Sequence, residues 1–172
     1  MIRSSRRSTT QGGFTLAIGG LSTEKLAQVF TASRNGFLTH VTMPLLCDPS
    51  ATIVVSIQNV TSTGLPGGAT VASETIAGST YPSYTPPYSL LPAAGMRLVE
   101  FKPSAIVKAG IQYAIVLKAV GNCAILPAID GDSYSGGHGY YDALPNPPGW
   151  VALSSTSSYD DLPFQTFVLS LR

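Results

Sequence analysis

The stretch GIQYAIVLKAV at residues 110–120 has the clearest two-residue periodicity in the chain. The side chains of one phase are all apolar: Ile111, Tyr113, Ile115 and Leu117. The other phase carries the polar side chains, Gln112 and Lys118, separated by Ala114 and Val116. Successive side chains of a strand point to opposite faces, so this pattern predicts a β-strand with one buried face.

The same period recurs in GFLTHVTMPL at residues 36–45 and in ATIVVSIQNV at residues 51–60. In the first run it places Phe37 and Val41 on one face, with Thr39, Met43 and Leu45, and it places Leu38 and His40 on the other. A sheet that buries one face of each run needs a shared core. We expect that core to contain Val41, Ile53, Val55, Ile57, Phe101, Tyr113, Ile115 and Leu117.

Segments rich in proline and glycine separate these runs, as in TSTGLPGG and SYTPPYSLLPAAG. The predicted strands lie near residues 26–32, 36–46, 51–60, 70–77, 96–103, 111–120, 123–129, 138–142, 149–154 and 163–171. Many short strands with such turns are typical of an antiparallel sandwich or barrel. We therefore predict an all-β domain at residues 26–172, preceded by an extended N-terminal arm at residues 1–25.

The composition favours burial of much apolar surface. Hydrophobic residues make up 44% of the 172 residues and charged residues 11%, against about 25% charged in an average soluble protein. The mean hydropathy is +0.23. Such a chain either packs an efficient β core or covers apolar surface against neighbours in an assembly.

The first twenty residues, MIRSSRRSTTQGGFTLAIGG, are basic and rich in glycine. Arg3, Arg6 and Arg7 precede the first acid, Glu24, whereas the rest of the chain has seven lysines and arginines against nine acids. A basic arm on a slightly acidic body is suited to docking on an acidic partner. We expect residues 1–20, including Phe14, to lie across a neighbouring subunit in a homo-oligomer.

The same leader contains no apolar run long enough for a secretory signal or a membrane anchor. We therefore expect synthesis in the cytoplasm and no membrane partner. A nucleic-acid partner is not expected either, since the body lacks a basic face.

Cys47 and Cys123 are the only cysteines, and neither belongs to a CxxC motif. A zinc site is therefore not expected. Two buried free thiols are the ordinary interpretation, and a single disulfide is the alternative if their strands are neighbours. Asp130 and Asp132 in the segment DGD are candidate calcium ligands, but turn capping is the favoured role of such residues. We predict no metal and no cofactor.

Catalytic residues are scarce. His40 is predicted to be a surface histidine. Asp132, Ser133 and His138 are the residue types of a hydrolytic triad, but the sequence shows no nucleophile elbow around the serine. We therefore predict a protein that is not an enzyme.

Aromatic residues in the predicted loops are the stronger indication of a contact surface. The candidates are Tyr81, Tyr84, Tyr88, Tyr140, Tyr141 and Trp150. A ring with an apolar face and a polar tip suits both protein interfaces and sugar rings. Packing of long loops against the domain is the competing role.

Three segments together carry a family resemblance: AQVFTASRNGFLTHVTMPL, IVVSIQNVTSTGLPGGATVASETI and LVEFKPSAIVKAGIQYAIVLKAV. Their pattern, with the closing DDLPFQTFVL, resembles jelly-roll β-sandwich modules of the choice-of-anchor or carbohydrate-binding-like class, which occur in bacterial surface proteins and phage structural proteins. The resemblance spans roughly residues 26–171 and implies an antiparallel jelly roll. The arm at residues 1–25 lies outside it.

Two functions are compatible with these features. The first is a structural component of a phage-like virion, such as a capsid decoration or a tail-associated protein, that docks through its arm. Phage proteins leave the cell by lysis and need no signal peptide. The alternative is an extracellular carbohydrate-binding module that uses the loop tyrosines and Trp150.

Overall fold

The computed structural model describes residues 15–83, 95–126, 131–143 and 149–170. The predicted arm residues Arg3, Arg6, Arg7 and Phe14 lie outside these ranges, as do Tyr84, Tyr88 and Asp130. The described residues form twelve strands: β1 (Leu16–Gly19), β2 (Lys25–Thr31), β3 (Gly36–Met43), β4 (Leu45–Cys47), β5 (Thr52–Asn59), β6 (Thr70–Ala77), β7 (Arg97–Val107), β8 (Gln112–Val120), β9 (Asn122–Ile125), β10 (Gly139–Asp142), β11 (Val151–Ala152) and β12 (Gln165–Ser170).

The protein is all-β, and its named strands pair in antiparallel sheets. One sheet has six strands in the order β11-β10-β2-β8-β5-β6, and two smaller sheets have the orders β12-β3-β7 and β1-β9-β4. Apolar side chains of all three sheets meet in one hydrophobic core, as in a β-sandwich. The inner faces of these sheets exclude water, which leaves their outer faces available for function.

The predicted core is confirmed. All eight of its residues are buried: Val41, Ile53, Val55, Ile57, Phe101, Tyr113, Ile115 and Leu117. Each predicted strand also overlaps an observed strand. Pro44, which has no amide hydrogen for a sheet ladder, separates β3 from β4 within the run predicted as one strand.

The predicted faces of β3 are wrong at its start. Leu38 is buried together with Val41, whereas Phe37 is 36% exposed. His40 and Leu38 pair with consecutive residues of β12, Phe167 and Val168, so Thr39 is an extra residue in β3. Such a β-bulge reverses the phase of the alternation. It turns the ring of Phe37 outward and the side chain of Leu38 into the core.

The predicted arm boundary at residue 25 is too late. Strand β1 pairs with β9 of the same chain, and its Ile18 is fully buried in the core. Gly19 has a positive φ of 78° and lies so close to the backbone of Gly121 that a Cβ atom would collide with it. Gly19 and Gly20, both with positive φ, therefore make a tight turn that leads the chain from β1 to β2.

The two cysteines form a disulfide. Cys47 of β4 lies directly opposite Cys123 of β9, and their Cα atoms are 4.0 Å apart. Because β9 pairs with β1 on its other side, the bridge ties together the small sheet that holds the beginning of the described chain. Of the two interpretations left open by the sequence, the bridged one is correct.

Candidate functional site: the outer face of the six-stranded sheet

The predicted aromatic residues separate into inner and outer positions. Tyr81 is buried in the core, and burial raises the pKa of its hydroxyl to about 12. Tyr141 packs against the same core. Tyr140 and Trp150 instead pack on the outer face of the six-stranded sheet. Of the described candidates, only these last two are placed to meet a ligand on this face.

Register explains which side chains share this outer face. Residues directly opposite in neighbouring antiparallel strands point to the same side of the sheet. One row across the sheet consists of Tyr140, Ala27, Val116, Ser56 and Ser73. The next row consists of Asp142, Lys25, Lys118, Val54 and Thr75. These residues alternate with core residues along each strand, which is why they face outward.

The centre of the outer face is a floor of small apolar side chains. Ala27, Val29, Ala114 and Val116 form a second buried cluster, against which Trp150 and Tyr140 pack. Small residues here leave room for an aromatic ring to lie on the sheet. Burial of the floor under Trp150 therefore holds the indole on the surface of the sheet instead of letting it extend into solvent.

Contacts with Gly67 and Lys25, and a contact of the preceding residue with Asp142, position Trp150. Its indole nitrogen lies beside Gly67, at 3.7 Å from the point where a Cβ atom of that residue would be. The ammonium of Lys25 lies 5.6 Å from the centre of the indole ring, within the range of a cation–π contact. Gly149, the preceding residue, donates its backbone N–H to Asp142 at 3.4 Å. The indole is thus held between the loop after β5 and the edge of β10.

Lys25 and Asp142 form an ion pair at the rim of the site. The Lys25 Nζ atom lies 2.7 Å from Oδ2 of Asp142. This hydrogen bond lowers the pKa of the Asp142 carboxyl below its ordinary value of 3.8. Because Asp142 also accepts from the backbone before Trp150, the pair couples the position of the lysine to that of the indole.

A groove of about 320 Å³ opens beside the indole ring. Its walls combine the apolar side chains of Trp150, Val54 and Val116 with the polar side chains of Ser56, Gln58, Thr70, Ser73, Lys25 and Lys118. The amide of Gln58 donates to the Ser56 hydroxyl at 3.1 Å. The groove therefore combines one flat aromatic wall with hydroxyl, amide and ammonium groups that can bond to a polar ligand.

Asp132, Ser133 and His138, the residue types of a hydrolytic triad, are not joined in one hydrogen-bonded chain. The Ser133 hydroxyl donates to Asp161 at 3.2 Å, and Asp132 accepts from the backbone of Tyr134. His138 instead lies 2.8 Å from Asp160, which orients its ring. In the part of the chain that the structure describes, no hydrogen bond joins His138 to Asp132 or Ser133. His40, predicted at the surface, is half-buried and stacks on Phe167.

A buried polar clamp, which the sequence analysis missed, supports the loop that leads into β10. Asp161 accepts hydrogen bonds from the Gln28 amide at 2.9 Å and from the backbone N–H groups of Ser133 and Tyr134 at 2.8 Å each. Gln28 in turn accepts from the Leu162 N–H at 2.6 Å. A sequence signal existed, since glutamine stands in the inward phase of β2 between Leu26 and Phe30.

Only one of the two candidate calcium ligands, Asp132, lies within the described residues. Asp132 is exposed, and Asp130 lies outside the described residues. Within the described ranges, no three His, Cys, Asp or Glu side chains come close enough to hold a metal ion.

Among the described residues, no helix has the length and apolar character needed to cross a membrane. Comparisons with protein-family models, with curated proteins and with solved structures found no match.

Proposed function

We propose that this protein is a non-enzymatic saccharide-binding module and that its ligand lies in the groove beside Trp150. The observation that carries the proposal is the placement of one indole ring over a floor of small residues, at the wall of a groove that also presents hydroxyl, amide and ammonium groups. The apolar face of a sugar ring stacks on such an indole, while its hydroxyl groups bond to polar side chains. Ser56, Gln58 and Thr70 supply those partners.

The proposal includes two further points. The strands follow a jelly-roll order, and the chain is related to the carbohydrate-binding-like modules. Two of the three segments that carry the resemblance, residues 27–45 and 53–76, include most of β2 and most of β5. Those two strands contribute Ser56, Gln58 and part of the small floor. The proposed site therefore lies on the part of the chain that resembles the family.

The first prediction concerns Trp150. Because Trp150 is the only tryptophan, its fluorescence reports directly on the groove. Titration with a panel of soluble oligosaccharides should give a saturable change in emission. In calorimetric titrations, Trp150→Ala should weaken binding about thirtyfold, which corresponds to the ~2 kcal/mol that an anchoring tryptophan typically contributes.

The control is Phe37→Ala, which removes an exposed ring from a different sheet. This variant should bind with unchanged affinity. No saturable signal from any saccharide, or equal weakening in both variants, would refute the proposed function.

A second candidate function, a structural component of a phage-like virion, is favoured by a different observation. On the outer face of the β12-β3-β7 sheet, Leu169, Phe37 and Ile106 lie directly side by side in register. All three are exposed, Leu169 by 65% and Ile106 by 60%. A contiguous apolar row of this kind is typical of a protein interface. Its proposed occupant is a second copy of the chain, and the N-terminal arm would add further contacts.

The second prediction tests that interface. Sedimentation of the full chain at micromolar concentrations should show self-association, and Phe37→Ser should shift the equilibrium to monomer because it places a hydroxyl in the middle of the row. Val120→Ser changes an exposed apolar side chain of the six-stranded sheet and should leave association unchanged. A wild-type chain that remains monomeric at these concentrations would contradict the structural role.

A further inference from the structure

The groove beside Trp150 contains two lysines that face each other. Lys25 of β2 and Lys118 of β8 are directly opposite in register and point to the same outer face. Like charges in directly opposed positions destabilise a pair of strands. The arrangement therefore needs a compensating charge.

One of the two lysines already has that compensation. Lys25 is paired with Asp142 at 2.7 Å and contacts the Trp150 ring. Lys118 is exposed and forms no salt bridge among the described residues. Its other cross-strand neighbour is Val54, and the acid of β6, Glu74, lies opposite Val55, which points to the core. Asp142 is the only acid in the two rows of the outer face.

The remaining groups of the groove are suited to a sugar ring. Ser56, Gln58, Thr70 and Ser73 supply hydroxyl and amide groups, and Trp150 supplies an aromatic wall. From this combination we infer that the groove binds an acidic saccharide, with the anionic group of the sugar on Lys118 and its ring beside Trp150. The inference rests on the proposed saccharide-binding function and names the chemical class of the ligand.

Lysine bonds to an anion as a compact point charge with three donors, so a uronate carboxylate and a sulfate ester are both compatible with it. The chemistry they share is an anionic group on a sugar ring that still has free hydroxyls. The net charge of the body does not explain the site, since residues beyond the leader contain more acids than bases. The positive charge that would attract an anionic ligand comes from the lysines of the groove itself.

The test compares matched ligands on the full chain. Calorimetric titrations use oligogalacturonate, the same oligosaccharide with its carboxyl groups reduced to alcohols, and a sulfated galactan oligosaccharide. The wild-type chain should bind the uronate about tenfold more tightly than the neutral ligand, as expected for one charge-assisted hydrogen bond. Comparison of the uronate with the sulfated oligosaccharide shows which anionic group is preferred.

Lys118→Gln keeps a flexible polar side chain at this position and removes its charge. It should abolish the preference for the acidic ligand. Lys108→Gln makes the same charge change at an exposed position outside the groove and should keep the preference. Added salt should weaken binding of the acidic ligand only.

The outcomes separate the two proposals. Equal affinities for acidic and neutral ligands, or equal losses in both lysine variants, would overturn the acidic-ligand inference while leaving saccharide binding intact. Binding of none of the three ligands would overturn the acidic-ligand inference, and absence of binding across the whole oligosaccharide panel would overturn both. Because Lys118 is exposed, its replacement does not endanger folding, and unchanged thermal melting would verify this.

Discussion

Removing the Cys47–Cys123 disulfide is expected to lower the free energy of unfolding by about 4 kcal/mol. The bridge closes a loop between residues 76 positions apart in sequence. Such a cross-link restricts the unfolded chain, so its loss raises the entropy of the unfolded state. Both cysteines are almost completely buried, and alanine is the suitable replacement because serine would bury a hydroxyl group.

Urea denaturation of the oxidised wild-type chain and of the Cys47→Ala/Cys123→Ala variant measures this effect. Each single variant should lose nearly as much stability as the double variant, because either change removes the whole bridge. The wild-type chain under reducing conditions provides the matched control and should resemble the variants. Identical denaturation midpoints with and without reductant would show that the disulfide does not stabilise the fold.

Asp161→Ala is expected to lower the free energy of unfolding by about 4 kcal/mol. Asp161 is 1% exposed, and its carboxylate is the acceptor for Gln28, Ser133 and Tyr134. Alanine would leave all three donors without that acceptor. The nearby Asp132→Ala should cost less than about 0.5 kcal/mol, since Asp132 is exposed.

The pH dependence of stability provides a second test of the role of Asp161. Burial raises the pKa of the Asp161 carboxyl above its ordinary value of 3.8, and the hydrogen bonds that lower this pKa oppose burial only in part. The folded state therefore keeps this proton at a pH at which the unfolded state has released it. The stability difference between the wild type and Asp161→Ala should fall as pH rises from 3.8 through the folded pKa, then level off.

Unfolding curves of both variants between pH 3 and pH 7 test this direction. A difference that instead grows with rising pH would mean that the hydrogen bonds outweigh burial. A cost of less than 1 kcal/mol at every pH would show that the clamp is not a structural support.

The strands and the inward phase of most of them could be predicted from the sequence, because the two-residue period is a local property. In β5 no residue from elsewhere in the chain is needed to see that Ile53 and Val55 share a face, and in β8 the same holds for Ile115 and Leu117. Burial of that face is the dominant contribution to folding, so the local pattern and the tertiary structure agree.

The bulge in β3 was not predictable in this way. Thr39 is an extra residue only in comparison with the partner strand β12, because no residue of β12 lies opposite it. That partner strand lies more than a hundred positions later in the chain. A pattern within one strand cannot reveal how many residues its partner places opposite it. The same limit applies to β1, a four-residue strand that is recognisable only through its pairing with β9.

The candidate site depended still more on tertiary structure. The sequence identified Trp150 and Tyr140 as candidates, but not Lys25, Lys118 or the small floor, because these lie on different strands and become neighbours only through register. The clamp between Gln28 and Asp161 joins residues 133 positions apart. By itself the sequence determined an all-β chain and the side chains that avoid water. Only the tertiary structure decided which polar and aromatic groups meet outside that core, since contacts between distant strands are set by packing and pairing and not by local periodicity.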